Sequence, residues 1–173
     1  MRPCVHSSDP VQSEPRTSIM APSVQTEDGP RNNISSLEKY KYLDVGTFEQ
    51  ILEMDDEDQE REFSRSIVYG FFDQAEATFL KMESAISSED LAELSQLGHF
   101  LKGSSATLGL TKVKDACEKI QNYGQQKDES GTHPEPDKSR SLANIKKALA
   151  EAKNDYHDVV SVLKSFYGEE TTA

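Results

Sequence analysis

The sequence predicts an all-α fold: an antiparallel four-helix bundle, preceded by a short extra helix and a disordered N-terminal tail. Three observations carry this prediction. Apolar residues recur at three- and four-residue steps in four long stretches, the spacing of a helix face turned towards a core. No stretch alternates apolar and polar residues with period two, and no internal repeat is visible. The links between the four stretches are short, so neighbouring helices run antiparallel. At 173 residues the chain is one ordinary domain, long enough to bury a core.

Residues 1–36 are rich in Ser, Gln, Thr and Asn and carry Pro3, Pro10, Pro15, Pro22 and Pro30 with no apolar period. Proline removes helical donors, and so little apolar surface cannot offset the entropy of ordering the segment. A disordered tail is expected there, with the bundle over 37–168 and 169–173 as its C-terminal end. Thr47 is placed to cap a short helix carrying Phe48, Ile51, Leu52 and Met54. An acidic run follows: Asp55, Asp56, Glu57, Asp58, Glu60 and Glu62. It reads as a solvated link whose carboxylates suit the positive end of the next helix, or, compatibly, as a charged rim beside a binding face.

From about Glu60 to Ile86 a long helix presents Phe63, Ile67, Val68, Phe71, Phe72, Ala75, Phe79 and Met82, a wide face expected to be mostly core. Ser87 or Ser88 is expected to cap the next helix, with Asp90 approximating a capping box. Gly109 then supplies the left-handed residue that ends it, followed by the apolar Leu110. Thr111 is the expected cap of a helix bearing Val113, Ala116, Cys117 and Ile120, which fades around Tyr123 and Gly124. Asp128–Asp137 is a loop by its Gly and Pro content, with a solvated His133. The last helix, about Ser139 to Phe166, shows Leu142, Ile145, Leu149, Ala152, Tyr156, Val159, Val160 and Leu163, with His157 at the stripe's edge.

Composition narrows the function. A net charge of −12 argues against nucleic acid or an anionic membrane surface as partner. Cys4 and Cys117 form neither a disulfide framework nor a metal-ligand spacing, which suits a reducing compartment. No apolar run resembles a signal peptide or spans a bilayer, so a soluble intracellular protein is expected.

The informative stretch is Leu97-Gly98-His99-Phe100-Leu101-Lys102-Gly103-Ser104-Ser105-Ala106. Leu91, Leu94, Leu97, Leu101 and Leu108 share one stripe, and at ~100° per residue His99 points roughly 150° away from it. A lone helical histidine is usually just a solvated residue. This one has Lys102 and Gly103 one turn away on its own face, and it lies between two glycines, each costing the helix about 1 kcal/mol. The turn at Gly109–Leu110 makes the next helix its antiparallel neighbour and places Gln121 at about the height of His99. A glutamine carbonyl there can accept the Nδ1 proton, fixing the tautomer and leaving Nε2 as an oriented nucleophile.

A phosphoryl group is the electrophile that fits. Its transfer needs positioning and charge stabilisation, which Lys102 can supply, while Gly103 leaves space for a bulky donor and Ser104 lies beside it. The chain has no Gly-rich phosphate loop, no kinase signature and no carboxylate cluster to hold Mg²⁺ beside His99. It therefore has no evident way to bind ATP, and the phosphoryl group is expected to come from one protein and pass to another. No metal or cofactor site of its own is expected.

The run His99-Phe100-Leu101-Lys102-Gly103-Ser104-Ser105 resembles the signature of the histidine-phosphotransfer (HPt) family. Leu97–Leu110, Cys117-Glu118-Lys119-Ile120-Gln121-Asn122, Glu53-Met54-Asp55-Asp56 and Phe72-Asp73-Gln74-Ala75 are similar to its fungal, yeast-type members, the phosphorelay intermediates of osmosensing. The likeness covers about residues 40–168. It implies an HPt four-helix bundle that takes phosphate from the receiver domain of a hybrid sensor kinase and gives it to response-regulator receivers. His99 would be the phosphorylated residue, Lys102 the phosphoryl stabiliser and Gln121 the orienting residue. Ile51, Met54, Phe63 and Ile67 would form an apolar docking patch beside Gly103 and Ser104. The resemblance further implies a monomer of cytoplasm and nucleus, with Mg²⁺ carried only by the receivers.

Three other classes compete less well. A non-catalytic interaction bundle needs none of the histidine, lysine, glycines and level glutamine. A histidine kinase dimerisation domain would carry an acid after the histidine, where Phe100 stands, and an ATP-binding domain. A metal-binding bundle lacks a second ligand at matching spacing to His99.

Overall fold

The computed structural model describes residues 34–56 and 61–169. The expected tail over 1–33, the acids Glu57, Asp58 and Glu60, and residues 170–173 lie outside the described residues. Helices α1 (Ile34–Leu37), α2 (Val45–Leu52), α3 (Glu62–Ser87), α4 (Leu91–Thr107), α5 (Thr111–Gly124) and α6 (Lys138–Phe166) follow in order. Helices α3 to α6 form the bundle, and among the described residues the only β pairing is isolated bridges. Ile34–Ser36, assigned to the tail by composition, instead belong to the single turn α1. Leu37 anchors it by inserting fully into the core, with Ile34 packed behind.

The helix boundaries fall close to expectation, but the N-terminal caps do not. Asp44, not Thr47, caps α2: its carboxylate accepts from the Thr47 amide at 3.3 Å and hydroxyl at 2.8 Å. Those bonds hold the Asp44 carboxyl below its usual range. Asp90, not Ser87 or Ser88, caps α4 through the Glu93 amide at 2.9 Å. The two serine hydroxyls turn back instead to carbonyls of the last turn of α3. Asp137 caps α6, accepting from the Ser139 and Arg140 amides. Serine, threonine and aspartate are all good caps; an ionised carboxylate adds a favourable charge at the helix's positive end.

Thr111 is no cap either. It is the first residue of α5, and its hydroxyl donates to the Tyr42 carbonyl at 2.8 Å. Together with Asp44 N–H donating to Gly109 O at 2.8 Å, this straps the segment before α2 across the α4–α5 turn. That turn closes as the sequence predicts. Gly109 is left-handed at φ 74°, the Leu110 amide donates to Ser105 O, and the Gly109 amide donates to Ala106 O.

The start of α3 shows what the acidic link does. Arg61, at φ 54°, makes no side-chain cap, and Asp55 reaches over to accept from the Ser64 amide at 2.7 Å. One acid of the run thus serves the helix terminus, as the link reading holds. The buried Ser64 hydroxyl accepts from Tyr167 Oη–H at 2.8 Å, and burial pushes that phenol up to about 12. Farther along, Tyr156 fills the bundle centre among Phe72 and Phe79, donating to Phe72 O and Glu76 Oε1.

Helices α4 and α5 touch backbone to backbone, and two glycines permit it. A Cβ on Gly98 would lie 2.8 Å from Gln121 N and 2.9 Å from Cys117 O. A Cβ on Gly124 would lie 2.7 Å from Ser95 N and 2.8 Å from Leu91 O. Both contacts are too close for any side chain, so the register of this hairpin is set by main chain. Cys117 is sealed behind the contact; burial pushes its thiol up to about 12, leaving it protonated and unreactive.

Candidate functional site

His99 sits on the outward face of α4 and is exposed, as the helical wheel requires. Next to it in sequence, Phe100 is 49% exposed. One turn on, Gly103 is exposed, and a Cβ there would meet nothing within 4 Å. The two glycines around the histidine therefore do different jobs. Gly98 admits α5, whereas Gly103 keeps the surface beside the imidazole clear.

The Gly98 contact also fixes Gln121, whose main chain lies against the residue preceding His99. The Gln121 side chain is half-buried, and its carbonyl oxygen Oε1 is buried with no donor reaching it among the described residues. That oxygen is therefore free to accept a hydrogen bond. One turn nearer the hairpin, Lys102 Nζ lies 3.4 Å from Glu118 Oε1 on α5. The Ser104 hydroxyl donates to Phe100 O at 3.3 Å, within its own helix, and does not point its proton at the site.

The apolar patch is only partly as expected. Met54 is 63% and Phe63 46% exposed, so both offer surface. Ile51 does not: at 7% exposed it packs into the core alongside Phe48, because that face of α2 rests on the bundle. Ile67 is half-buried and shares with Ser104 an open groove of about 380 Å³ between α3 and α4, also lined by Gly70, Phe71, Gln74 and Leu108. Of the expected patch, Met54 and Phe63 are therefore exposed, Ile67 lines a groove with Ser104, and Ile51 is withdrawn into the core.

Sequence reasoning missed three residues here. Phe100 was legible as an apolar residue off the stripe. Gly70 was legible as a costly glycine inside α3 whose absent side chain opens the groove. Glu118 was legible as an acid one turn before Gln121, matching Lys102 one turn after His99 on an antiparallel neighbour. Elsewhere, the loop before α6 is more structured than a plain Gly/Pro loop. Asp128 gathers the Ser130 hydroxyl, the Thr132 and His133 amides and His133 Nδ1, and these donors hold its carboxyl well below the usual range. His133 itself stays largely exposed. Among the described residues no three potential ligands converge on a metal site, and no helix is long and apolar enough to cross a membrane.

The family described as Hpt domain matches residues 67–155, which span α4 and α5 entirely. Multistep phosphorelay regulator 1 of Schizosaccharomyces pombe is 47% identical over 125 residues, 72% of this chain and 42% of that protein. Phosphorelay intermediate protein YPD1 of Saccharomyces cerevisiae is 48% identical over 77 residues, 44% of this chain and 45% of that one. The chain thus spans less than half the length of these two relatives. Among solved structures, Saccharomyces cerevisiae histidine phosphotransfer signaling protein Ypd1, co-crystallised with the receiver domain of its downstream response regulator Ssk1, superposes with a TM-score of 0.65. It is 32% identical, over 75% of this chain and 96% of that one.

Proposed function

Because this chain belongs to the Hpt domain family, we propose that it is a phosphorelay intermediate whose His99 takes a phosphoryl group from one receiver domain and gives it to another. The observation that carries this is the exposed His99 with Lys102 and the clear surface at Gly103 one turn away, and with Gln121, its carbonyl unclaimed, on the helix that packs against Gly98.

The transfer follows from those atoms. Gln121 Oε1 accepts the Nδ1 proton of the neutral imidazole, so the Nε2 lone pair points outwards. Nε2 attacks the phosphorus of the receiver's aspartyl phosphate; the N–P bond forms as the P–O bond breaks, and the aspartate carboxylate leaves with that electron pair. The ring, still protonated at Nδ1, becomes a phosphorylated imidazolium whose positive charge the Gln121 carbonyl stabilises. The Lys102 ammonium neutralises the phosphoryl oxygens. The same steps in reverse deliver the group to a second receiver aspartate. Any Mg²⁺ belongs to the receivers, and the chain supplies no cofactor. Donors are receivers of hybrid sensor kinases and acceptors are receivers of response regulators, met by a monomer in cytoplasm and nucleus. A non-catalytic interaction bundle would have no use for an exposed histidine with a lysine and a clear glycine surface one turn away.

The chain is expected to gain label from a radiolabelled phospho-receiver and none from ATP alone, and the label should be acid-labile and base-stable. Labelling by ATP without a receiver would make it a kinase; acid-stable label would move the chemistry off histidine.

A further inference from the structure

Resting on the reading of His99 as the phosphoryl acceptor, we propose that Glu118 is a positioning residue that holds Lys102 when the imidazole is bare and competes for it once phosphate arrives. Lys102 Nζ and Glu118 Oε1 lie 3.4 Å apart. Each makes no other ion pair among the described residues. The helices that carry them are held in register by the close main-chain approaches at Gly98 and Gly124, so the two side chains start from adjacent positions on α4 and α5. The Lys102 side chain is 28% exposed, so its stem packs against the bundle while its ammonium reaches Glu118.

Before phosphorylation, the ammonium is paired with Glu118 on α5, one turn along α4 from His99. Phosphorylation adds nearly two negative charges and three acceptor oxygens on the same face. Lys102 then divides between the phosphoryl group and Glu118, and whatever share Glu118 keeps is withheld from the phosphohistidine. Glu118 therefore limits how long the group stays and keeps it ready to leave. A carrier benefits from this, because its intermediate must be formed and then given up.

The test loads the chain directly with phosphoramidate, which phosphorylates histidine without a receiver, and follows loss of phosphate by ³¹P NMR. Four chains are compared: the unsubstituted protein, Glu118→Gln, Lys102→Ala and the double variant, each checked for its helical fold by circular dichroism. Glu118→Gln is expected to lengthen the phosphohistidine half-life about two- to five-fold, the range for one exposed ion pair. In the Lys102→Ala background the same substitution is expected to change nothing. An unchanged or shortened half-life in Glu118→Gln overturns the proposal. So does equal lengthening with Lys102 absent, which would mean that Glu118 acts by its own charge. If phosphate loads on the unsubstituted chain but not at His99, the reading of the site fails, and this proposal with it.

Discussion

Gly103→Gln is expected to slow phosphoryl transfer from a receiver by about 10²-fold while leaving the melting temperature equal or higher. The two halves of this result have separate causes. In the free protein a Cβ at residue 103 meets nothing within 4 Å, so the new side chain clashes with no other group of the bundle. Replacing a helical glycine removes a cost of up to about 1 kcal/mol, which is the source of any gain in stability. In the complex, the same side chain stands one turn from His99 on the face a receiver must approach. Holding reacting atoms about 1 Å too far apart is enough to cost 10²-fold in rate. Transfer kinetics and a thermal melt on the same preparation check both halves. A variant that transfers at the normal rate would place receiver docking away from Gly103, and a variant that unfolds would give Gly103 a packing role.

Gly98→Ala is expected to lower the melting temperature. Its methyl group would sit 2.8 Å from Gln121 N and 2.9 Å from Cys117 O, and both atoms are main chain, so no side chain can swing aside. Helices α4 and α5 must part, and overpacking of this kind costs about 1–3 kcal/mol, somewhat offset by alanine's better helix propensity. A fall in melting temperature of roughly 3–10 °C is expected for a domain of this size. Transfer should slow as well, because displacing α5 carries Gln121 away from the imidazole. Gly103→Ala in parallel separates the two glycines, since it should melt no lower than the unsubstituted chain. Equal melting of all three proteins would mean that the α4–α5 contact yields more easily than its distances imply.

Much of this was legible in the sequence, for physical reasons that differ by residue. Helix periodicity depends on burial, which dominates the energetics, so the four long helices and the outward aim of His99 could be read directly. The height of Gln121 followed from the brevity of the Gly109–Leu110 turn, because a two-residue link leaves the antiparallel register little freedom. The two glycines could have been told apart. Gly98 lies on the leucine stripe between Leu94 and Leu101, where a neighbour must approach, whereas Gly103 lies off it. The caps were not legible. Asp44 and Thr47, or Ser87, Ser88 and Asp90, are all competent capping residues, and only the path of the chain decides which reaches the free amides. Ile51 and Met54 are one helical turn apart, yet one is buried and the other exposed. That difference arises because α2 ends at Leu52, so Met54 lies beyond the helix face that rests on the bundle.

If His99 carries the phosphoryl group through the relay, His99→Gln ends phosphoryl acceptance without unfolding the bundle. The substitution keeps a polar side chain on an exposed helix face, so far-ultraviolet circular dichroism and the melting temperature should match the unsubstituted protein. Incubated with a radiolabelled phospho-receiver, the variant is expected to acquire no acid-labile phosphate, while the unsubstituted chain is labelled. Retained labelling in a folded His99→Gln protein would contradict the account and move the phosphoryl group to another residue.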